Sequence, residues 1–575
     1  MAFFYSFLAG NRLDFVNSGM KKRHSKNIIF KPYEQDQLQF LPPSLEELIP
    51  ANHLVRMVNQ AIDRMRIDSL IESYKGGGTS SYHPKMLLKI LIYAYTQRLY
   101  SSRQIAKVLR ENIHFMWLSG GNRPDFRTIN RFRSSRLKGR IEEVFGAVVE
   151  LLLEEGLIDF RDYFLDGTKI EANANKYSFV WGRATKKFKA RLQVQLKELL
   201  KHIDETNEQE QSRYGNRDLA ELGEDAEISS ERIEEKLKEL DERLHKKPQD
   251  KELKKAVKKI KDDYLPRQKK YEEQEQILGE RNSYSKTDED ATFMRMKEDP
   301  MHNGQVKAGY NLQMGTEHQF IVGYSIHQKT TDTSHLIPHL EQLQQCFGEL
   351  PARITADAGY GSEENYDYLE SKNIQAYVKY NNYHYEKKRA FKKNAFRVEN
   401  LPYDPASDSY ECPAGKRLIY LHTKRLKTQN GYSSSRRVYQ AEDCTGCSLR
   451  SLCHKSKYNR RIEVSHQLNA YRKKARDLLD SKQGRIQRSK RPVEVEAVFG
   501  QIKHNRHFRR FMLRGLEKVI VEFGLIAMAH NLMKWQARRL DLPKMTAILL
   551  IQFWEALTGK RNFLKHDKNS YLQIG

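Results

Sequence analysis

Arg161-Asp-Tyr-Phe-Leu-Asp-Gly-Thr168 is the stretch that decides the fold of this chain. Its aromatic and apolar centre ends on Asp166 and Gly167, and a short apolar run that stops at turn residues predicts a buried strand. A carboxylate at the point where a buried strand meets a turn can present its oxygens to a metal ion without lying in the core. The alternative is that Asp166 only begins a turn.

A second strand downstream ends in the same way. The stretch Ala352-Arg-Ile-Thr-Ala-Asp357 predicts a short strand that stops on a carboxylate, and Ala358-Gly-Tyr-Gly361 predicts the turn after it. Asp357 therefore repeats the context of Asp166, and the repetition favours a shared site over two unrelated turns.

A third carboxylate is predicted on a helix that follows Pro492. The buried stripe of this helix, at helical spacing, is Val495, Val498, Phe499 and Ile502. Glu494 and Glu496 flank the stripe on opposite edges, because two residues along a helix rotate by about 200°. The edge of Glu496 also carries Lys503, and a metal site that holds phosphate favours an edge with a cation. Glu496 is therefore the predicted ligand, and Glu494 is interpreted as an early-turn acid that suits the helix dipole.

The composition indicates a basic protein with a polyanionic partner. The chain has 575 residues, of which 39% are hydrophobic, and its 100 Lys and Arg against 74 Asp and Glu give a net charge of +26. Such an excess concerns partners rather than fold, and a polyphosphate is the commonest partner. A membrane surface is the rival, but no apolar run reaches the length of about 18 residues that a spanning helix needs.

The cysteine content and the N-terminus bear on location. Five cysteines in so long a chain do not make a secreted disulfide scaffold, so the sequence predicts a protein of the reducing cytoplasm. Residues 1–44 are interpreted as an N-terminal extension, because their apolar start lacks the preceding basic region of a signal peptide. Met20 is an alternative start.

Residues 45–155 are predicted to be helical. Ser101 to Arg110 forms a capped, basic, amphipathic pattern, Ser119-Gly-Gly-Asn122 breaks it, and Asp125 to Arg133 forms a second basic helix. The arginines of the second helix are Arg127, Arg131 and Arg133. Two short helices around a glycine turn are typical of helix-turn-helix DNA binding. The alternative is an ordinary helical bundle with a solvated basic face.

Two long segments interrupt the strand pattern. Residues 184–282 carry apolar residues at three- and four-residue steps between Lys and Glu faces, which predicts helical hairpins or a short coiled coil. Residues 383–480 hold four cysteines, namely Cys412, Cys444, Cys447 and Cys453. A CxxC pair with two further thiols is a tetrahedral zinc pattern, with His454 as a substitute ligand. The alternatives are four unrelated thiols, or a redox pair at Cys444 and Cys447.

Three carboxylates in a strongly basic protein suit two-metal phosphoryl transfer. Paired ions activate the attacking oxygen and stabilise the leaving one, and Mg²⁺ prefers carboxylate and water oxygens. Three carboxylates neutralise most of the charge of two such ions and leave coordination positions open for phosphate. The long separations between the three residues would not single them out unaided.

The chain closely resembles DDE transposases of bacterial insertion sequences, in a branch with a helical N-terminal domain and a cysteine cluster. The matching stretches, in order, are KPYEQDQLQFLPPSLEELIP, YFLDGTKIEANANKY, GYNLQ, ADAGYGSEENY, CPAGK with CTGC, VEAVFGQIKHNRHFRRFMLRGLEKV and AHNLMKW. They span roughly residues 30–540 and agree with the family in order as well as in content.

This resemblance implies an α/β fold with an RNase-H-like (retroviral-integrase-like) catalytic core. The implied parts are a helical N-terminal DNA-binding domain (45–155), the core (156–183, 283–382 and 481–540), a helical insertion (184–282), a zinc-ribbon-like insertion (383–480) and a C-terminal tail (541–575).

The resemblance also assigns the residues of the site. Asp166, Asp357 and Glu496 would form the catalytic triad and hold two Mg²⁺ ions, or Mn²⁺ in their place, and the cysteines would hold a structural Zn²⁺. The implied DNA contacts are Lys503, Arg491 and Arg506. Families of this type often carry a Tyr and an Arg upstream of the Glu, whereas here Arg488 stands where the Tyr is expected.

The implied activity is cleavage at the element ends by water, followed by attack of the freed 3′-hydroxyl on target DNA. The partners would be the terminal inverted repeats and the target DNA, with no membrane. The protein would act as a homodimer in a synaptic complex at the nucleoid. Two alternatives are a metal-dependent nuclease that lacks strand transfer and a DNA-binding regulator without catalysis.

Overall fold

A computed structural model describes residues 44–74, 81–211, 227–246, 248–296, 304–428 and 430–558, with the side chains of 204–211 and 541–558 left out. The predicted extension over residues 1–44, with the alternative start at Met20, lies outside the described residues except for Ser44. Residues 1–48 form one unit and residues 49–575 form a second unit.

Seven helices open this second unit. They are α1 (Leu54–Arg64), α2 (Asp68–Glu72), α3 (Pro84–Thr96), α4 (Ser102–Glu111), α5 (Ile113–Leu118), α6 (Phe126–Arg131) and α7 (Ile141–Glu154). Pro84 opens α3, as expected of proline in a first helical turn. The predicted two-helix motif is wrong in one respect, because α5 lies between α4 and α6. Asn112 creates this extra helix by accepting a hydrogen bond from the backbone N–H of His114, at 2.9 Å.

The central sheet has six strands, and the stretch that opens at Arg161 forms its middle strand. The strands are β1 (Asp162–Glu171), β4 (Thr292–Arg295), β5 (Val306–Glu317), β6 (Phe320–His327), β7 (Arg353–Ala356) and β8 (Gln375–Val378). Their order is β4-β5-β1-β7-β8, and β6 pairs with β5 as well. β1 runs antiparallel to β5 and parallel to β7, and β7 runs parallel to β8.

Helices cover the sheet and complete its core. They include α12 (Leu336–Phe347) and α13 (Glu363–Ser371), together with α7 and the long C-terminal helix α19 (Leu516–Thr558). The apolar residues of β1, β5 and β6 are buried in one continuous core that also contains the helices of the N-terminal region. Helix α19 runs past residue 540 as far as Thr558, so the first residues of the predicted C-terminal tail (541–575) continue this helix.

The segment for which the helical insertion (184–282) is predicted contains mainly helices. The strands of a two-stranded sheet, β2 (Phe179–Trp181) and β3 (Ser283–Ser285), flank it, and four helices lie between these strands. The helices are α8 (Gly182–Gln211), α9 (Ser230–Lys246), α10 (Lys251–Lys259) and α11 (Leu265–Leu278). Their apolar stripes meet in a small core of their own around Leu196, Leu240 and Ile260.

The second insertion is built on an antiparallel sheet. Its strands are β9 (Tyr403–Asp404), β10 (Ser409–Glu411), β11 (Arg417–Lys427), β12 (Ser433–Ala441) and β13 (Arg461–Val464), in the order β13-β12-β11-β10-β9. Two short helices, α14 (Arg389–Lys393) and α15 (Arg450–Cys453), flank it. Helices α16 (His466–Asp480) and α17 (Lys482–Arg491) then lead back to the central sheet, where both contact β8.

The helix that carries Glu496 departs from α-helical geometry. Pro492–Glu496 and Gln501–Asn505 form π-helical turns on either side of α18 (Ala497–Gly500). A π-turn closes from residue i to i+5 and therefore turns less per residue than an α-helix, and such turns are frequent at functional sites. Residues that α-helical spacing would align on one edge are consequently rotated apart.

Candidate functional site

Asp166 lies in the middle of β1, not at its end. The predicted turn after Asp166 is wrong, because β5 pairs with β1 from Phe164 as far as Glu171 and holds the whole segment extended. Asp166 is 6% exposed, and its Oδ1 accepts a hydrogen bond of 2.8 Å from the backbone N–H of Gly167. A buried carboxylate in the centre of a sheet needs a cationic partner or hydrogen bonds to remain charged.

Asp357 follows the last residue of β7, as the sequence predicts. Its Oδ1 accepts the backbone N–H of Gly359 at 2.8 Å, and this bond caps the short 3₁₀ turn Ala358–Tyr360. β1 and β7 pair in parallel register through Phe164 and Thr355. Continuing that register by two residues places Asp166 beside Asp357, on strands about 4.8 Å apart. The geometry thus brings the two predicted aspartates together.

Glu496 reaches Asp166 through one arginine. Arg491 Nη2 lies 3.0 Å from Asp166 Oδ2, and its Nη1 lies 2.9 Å from Glu496 Oε1. The arginine side chain is 12% exposed and that of Glu496 is 52% exposed, so the bridge runs from the core to solvent. Glu494 faces elsewhere, since its Oε2 accepts the backbone N–H of Gln319 at 2.7 Å. We call Asp166, Asp357 and Glu496 the acidic site.

A fourth carboxylate, Asp332, lies beside the acidic site and was not found from the sequence. Its Oδ1 accepts hydrogen bonds from Asn311 Nδ2 at 2.8 Å and from Gln313 Nε2 at 3.0 Å. A Cβ on Gly167 would come within 2.7 Å of the same oxygen, so the glycine after Asp166 permits this approach. Asp332 stands in a turn without any periodic pattern, and only its place between β6 and α12 could have suggested it.

Two cations beside the acidic site were also missed. Lys379 follows β8, and burial together with the charges of Arg491 and Arg488 lowers the pKa of its amine. The buried Nε of Arg488 has no hydrogen-bond partner in the described part of the chain, and its guanidinium lies 5.5 Å from the centre of the Tyr383 ring. Asp357 and Glu496 act on Lys379 in the opposite direction to the two arginines, so this amine lies within the field of the acidic site. Cations gathered beside carboxylates in this way can contribute to holding an anion.

Three of the predicted DNA contacts are buried. Lys503 is 6% exposed and donates to Thr168 Oγ1 at 2.7 Å and to the carbonyl of Lys169. Arg133 donates to the Tyr95 hydroxyl and the Tyr100 carbonyl, and Arg506 donates to the carbonyls of Tyr95 and Thr96. The predicted contact of these three residues with DNA does not fit their burial. The reason for Lys503 is the π-turn over Gln501–Asn505, which rotates it inward.

The other two arginines of the second basic helix are exposed. Arg127 and Arg131 lie on α6 with their side chains in solvent. Asp125 caps this helix by accepting the backbone N–H of Thr128 at 2.7 Å. Arg103 of α4 lies 5.2 Å from the Phe126 ring, so the two helices present a joint basic face.

The four cysteines of the second insertion line one cavity. Cys412, Cys444, Cys447 and Cys453, which we call the thiol site, surround it together with His454 and Arg460. The backbone N–H of Arg460 donates to Cys444 Sγ at 3.4 Å, and its Nη1 donates to Cys453 Sγ at 3.2 Å. Both ring nitrogens of His454 are buried without a hydrogen-bond partner. Cys346 lies apart on α12, and all five cysteines are free thiols.

The donor chemistry of each site fits the metal expected of it, although the donors are not gathered. In the described ranges no group of three His, Cys, Asp or Glu side chains is close enough to hold a metal ion. The acidic site offers hard carboxylate oxygens, which suit Mg²⁺, with a guanidinium between two of them where positive charge is required. The thiol site offers four sulfurs around one space, which suit Zn²⁺.

Two models of known protein families match parts of the chain. Residues 411–536 match the family model described as "Transposase DDE domain", and residues 43–135 match the model described as "Transposase domain (DUF772)". The first match covers the thiol site, Arg491 and Glu496, and the second covers the helices up to α6. No curated protein matches the chain. Among the described helices, none has the length and apolar character needed to span a membrane.

Proposed function

Because this chain is a DDE-type transposase of an insertion-sequence family, we propose that it binds the ends of its element, cleaves there by metal-dependent hydrolysis and joins the 3′ ends to target DNA. The observation that carries the proposal is the acidic site, in which Arg491 bridges Asp166 and Glu496 and the parallel pairing of β1 with β7 brings Asp357 beside Asp166. Its Mg²⁺ ions, or Mn²⁺ in their place, would be held by Asp166, Asp357 and Glu496.

The strand order supports an RNase-H-like core. Counting only the strands around β1, the sheet runs β6-β5-β1-β7-β8, with β6, β5 and β1 antiparallel and the last three parallel. A mixed sheet of this kind, covered by helices, is consistent with the RNase-H-like core that the resemblance implies. In open α/β sheets, sites form outside the carboxyl ends of the strands, and Asp357 and Lys379 stand at those ends.

The side chains around the acidic site would each have a separate role in the reaction. When bound, two divalent ions activate the attacking oxygen and stabilise the leaving one. Arg491 balances the charge of Asp166 and Glu496 before that, and the amides of Asn311 and Gln313 hold Asp332 at the edge of the site. Lys379 and Arg488 supply cationic groups that can hold the scissile phosphate for in-line attack by water or by a 3′-hydroxyl.

The basic helical region would hold the DNA. The exposed Arg127 and Arg131 on α6 suit contacts with the terminal inverted repeats, in agreement with a net charge of +26. A homodimer is proposed for the synaptic complex, since two ends must be joined to one target. The nucleoid of the cytoplasm is the place where such substrates occur.

A structural zinc ion is proposed for the thiol site. The cavity shared by four sulfurs and the N–H groups that Arg460 aims at two of them support it, since thiolates accept such hydrogen bonds. The zinc would tie the loop after β12 to the end of β10, and it would take no part in the chemistry.

The decisive experiment incubates the purified protein with DNA that carries the repeats flanking its own coding sequence, in the presence of Mg²⁺. Joining of pre-cleaved 3′ ends to a plasmid target is the expected result. Cleavage without joining would identify a metal-dependent nuclease, and binding without either step would identify a DNA-binding regulator.

A further inference from the structure

An aromatic face lies next to the end of β1, outside the acidic site. Phe179 and Trp181 share one side of β2, and Tyr177 lies in the turn just before this strand and lines the same cavity as the two rings. Tyr177, Phe179 and Trp181 are 87%, 43% and 36% exposed, whereas Val180 between the last two is buried. Three large exposed rings in a row are costly in water and mark a binding surface.

The rings line a cavity rather than a flat surface. Phe179 and Trp181 lie 5.8 Å apart between ring centroids, and each lies within 5.9 Å of Phe293 on β4, which forms the floor. The cavity measures about 340 Å³, a size that accepts a small planar group. Lys176 and Lys307 stand on its rim, and Lys307 is paired with Glu171 at 3.0 Å.

Two exposed arginines lie between the end of β1 and this face. Arg510 donates to the Ala172 carbonyl at 3.1 Å, and Arg514 donates to the Asn173 carbonyl at 2.8 Å. The distance along β1 from Asp166 to Glu171 is about 17 Å, because the strand advances by five residues. A single strand of DNA bound at the rings would therefore find cations for its phosphates on the side that faces β1.

We propose that Tyr177, Phe179 and Trp181 form a stacking platform for the unpaired bases of single-stranded DNA adjoining the acidic site. Aromatic side chains beside cations are the usual combination for binding single strands, because every base has a face on which to stack. The exposed area of the three rings, roughly 300 Å², falls short of the ~800 Å² per partner of a stable protein interface. The proposal rests on the transposase function only for the identity of the nucleic acid.

The test measures binding of a fluorescent dT oligonucleotide to the full-length protein without added divalent metal, so that no cleavage is needed. Trp181→Ala and Phe179→Ala should each weaken binding about tenfold, and Trp181→Phe should retain it. An oligonucleotide of the same length without bases should bind wild type as weakly as the alanine variants bind dT. The alanine variants should no longer distinguish the two oligonucleotides. Tyr458→Ala, which removes an 81% exposed ring from the second insertion, serves as the control.

Two results would overturn the platform. If Trp181→Ala lowers affinity for the dT and the baseless oligonucleotide equally, the face affects folding or charge and not stacking. If dT binding is unchanged but self-association of the protein is lost in sedimentation, the face belongs to a second copy of the chain. Cleavage activity is measured in a separate assay. Asp166→Asn should bind dT like wild type, so the outcome of the cleavage assay does not affect the binding test.

Discussion

The acidic site and the thiol site differ in how neighbouring side chains of the protein partner their oxygen and sulfur atoms. In the acidic site Arg491 bridges Asp166 and Glu496, so a permanent cation offsets the carboxylate charge. In the thiol site no side chain of the described residues joins two of the cysteines. Arg460 donates to Cys444 Sγ through its backbone and to Cys453 Sγ through its guanidinium, at the edge of the cavity that the four cysteines line. We therefore expect the acidic site to keep its arrangement without an ion, whereas the proposed zinc would add rigidity to the thiol site.

The largest effect is expected at the acidic site. Asp166→Asn should lower cleavage about a thousandfold, because the ions contribute several kcal/mol to the transition state and each ~1.4 kcal/mol is a factor of ten. Glu496→Gln should remove both cleavage and joining, and the matched control Glu494→Gln should keep most activity. The measurement is a Mg²⁺ cleavage assay on the three purified variants. Activity in Asp166→Asn would disprove the assignment, and the reverse order of the two glutamate variants would mean that Glu494 is the ligand.

Removal of a thiol should act on structure and not on chemistry. Cys447→Ser should abolish the binding of one zinc per chain and loosen residues 400–460, because structural zinc supplies folding free energy. Elemental analysis and hydrogen exchange over β11 and β12 check this, with Cys346→Ser as a control that keeps its zinc. Protein purified without chelator that contains no zinc would contradict the proposal and would leave a redox pair at Cys444 and Cys447 as the better interpretation.

The bridging role of Arg491 can be tested by removing it. Arg491→Gln should lower the free energy of unfolding of the metal-free protein by about 3 kcal/mol, since the nearly buried Asp166 loses its partner. Added Mg²⁺ should restore stability to the variant more than to wild type, because the ions replace the lost charge. Denaturant unfolding with and without Mg²⁺ measures both effects. Equal stabilisation of the two proteins by Mg²⁺ would show that Arg491 does not stand in for a cation.

The smallest effect should lie outside both sites. Arg127→Gln should weaken binding to the element end severalfold and reduce the slope of log affinity against log salt by about one. The effect should be the same with or without Mg²⁺ and zinc. Filter binding over a salt series provides the measurement, and Arg133→Gln, which changes a buried arginine, should lower stability instead. An unchanged salt slope in Arg127→Gln would remove α6 from the DNA interface.

The sequence predicts the strands that carry the two aspartates of the acidic site, but not the residues that surround the site. The apolar run before Asp166 and the short strand before Asp357 are local patterns, and both strands are where those patterns indicate. The sequence could not reveal that β5 would hold Gly167 extended, because that pairing comes from residues about 150 positions away. It also could not place Lys503, since α-helical spacing fails across the two π-turns. Asp332, Lys379 and Arg488 have no periodic signal, and only the fold brings them together.

The hydrogen bonds between Arg506 and the first helices limit how the N-terminal helical region can be exchanged between related proteins. The hydroxyl of Tyr100 donates to the Arg506 carbonyl at 3.0 Å, the guanidinium of Arg506 reaches back to the end of α3, and α19 packs against α1, α3 and α7. The N-terminal helical region therefore does not form a separate folding unit that could be replaced alone. A recombinant that exchanged it for the corresponding region of a distant relative would have to carry residues 492–540 with it, so new end specificity in such proteins should arise by point substitution on exposed α6 rather than by shuffling of domains.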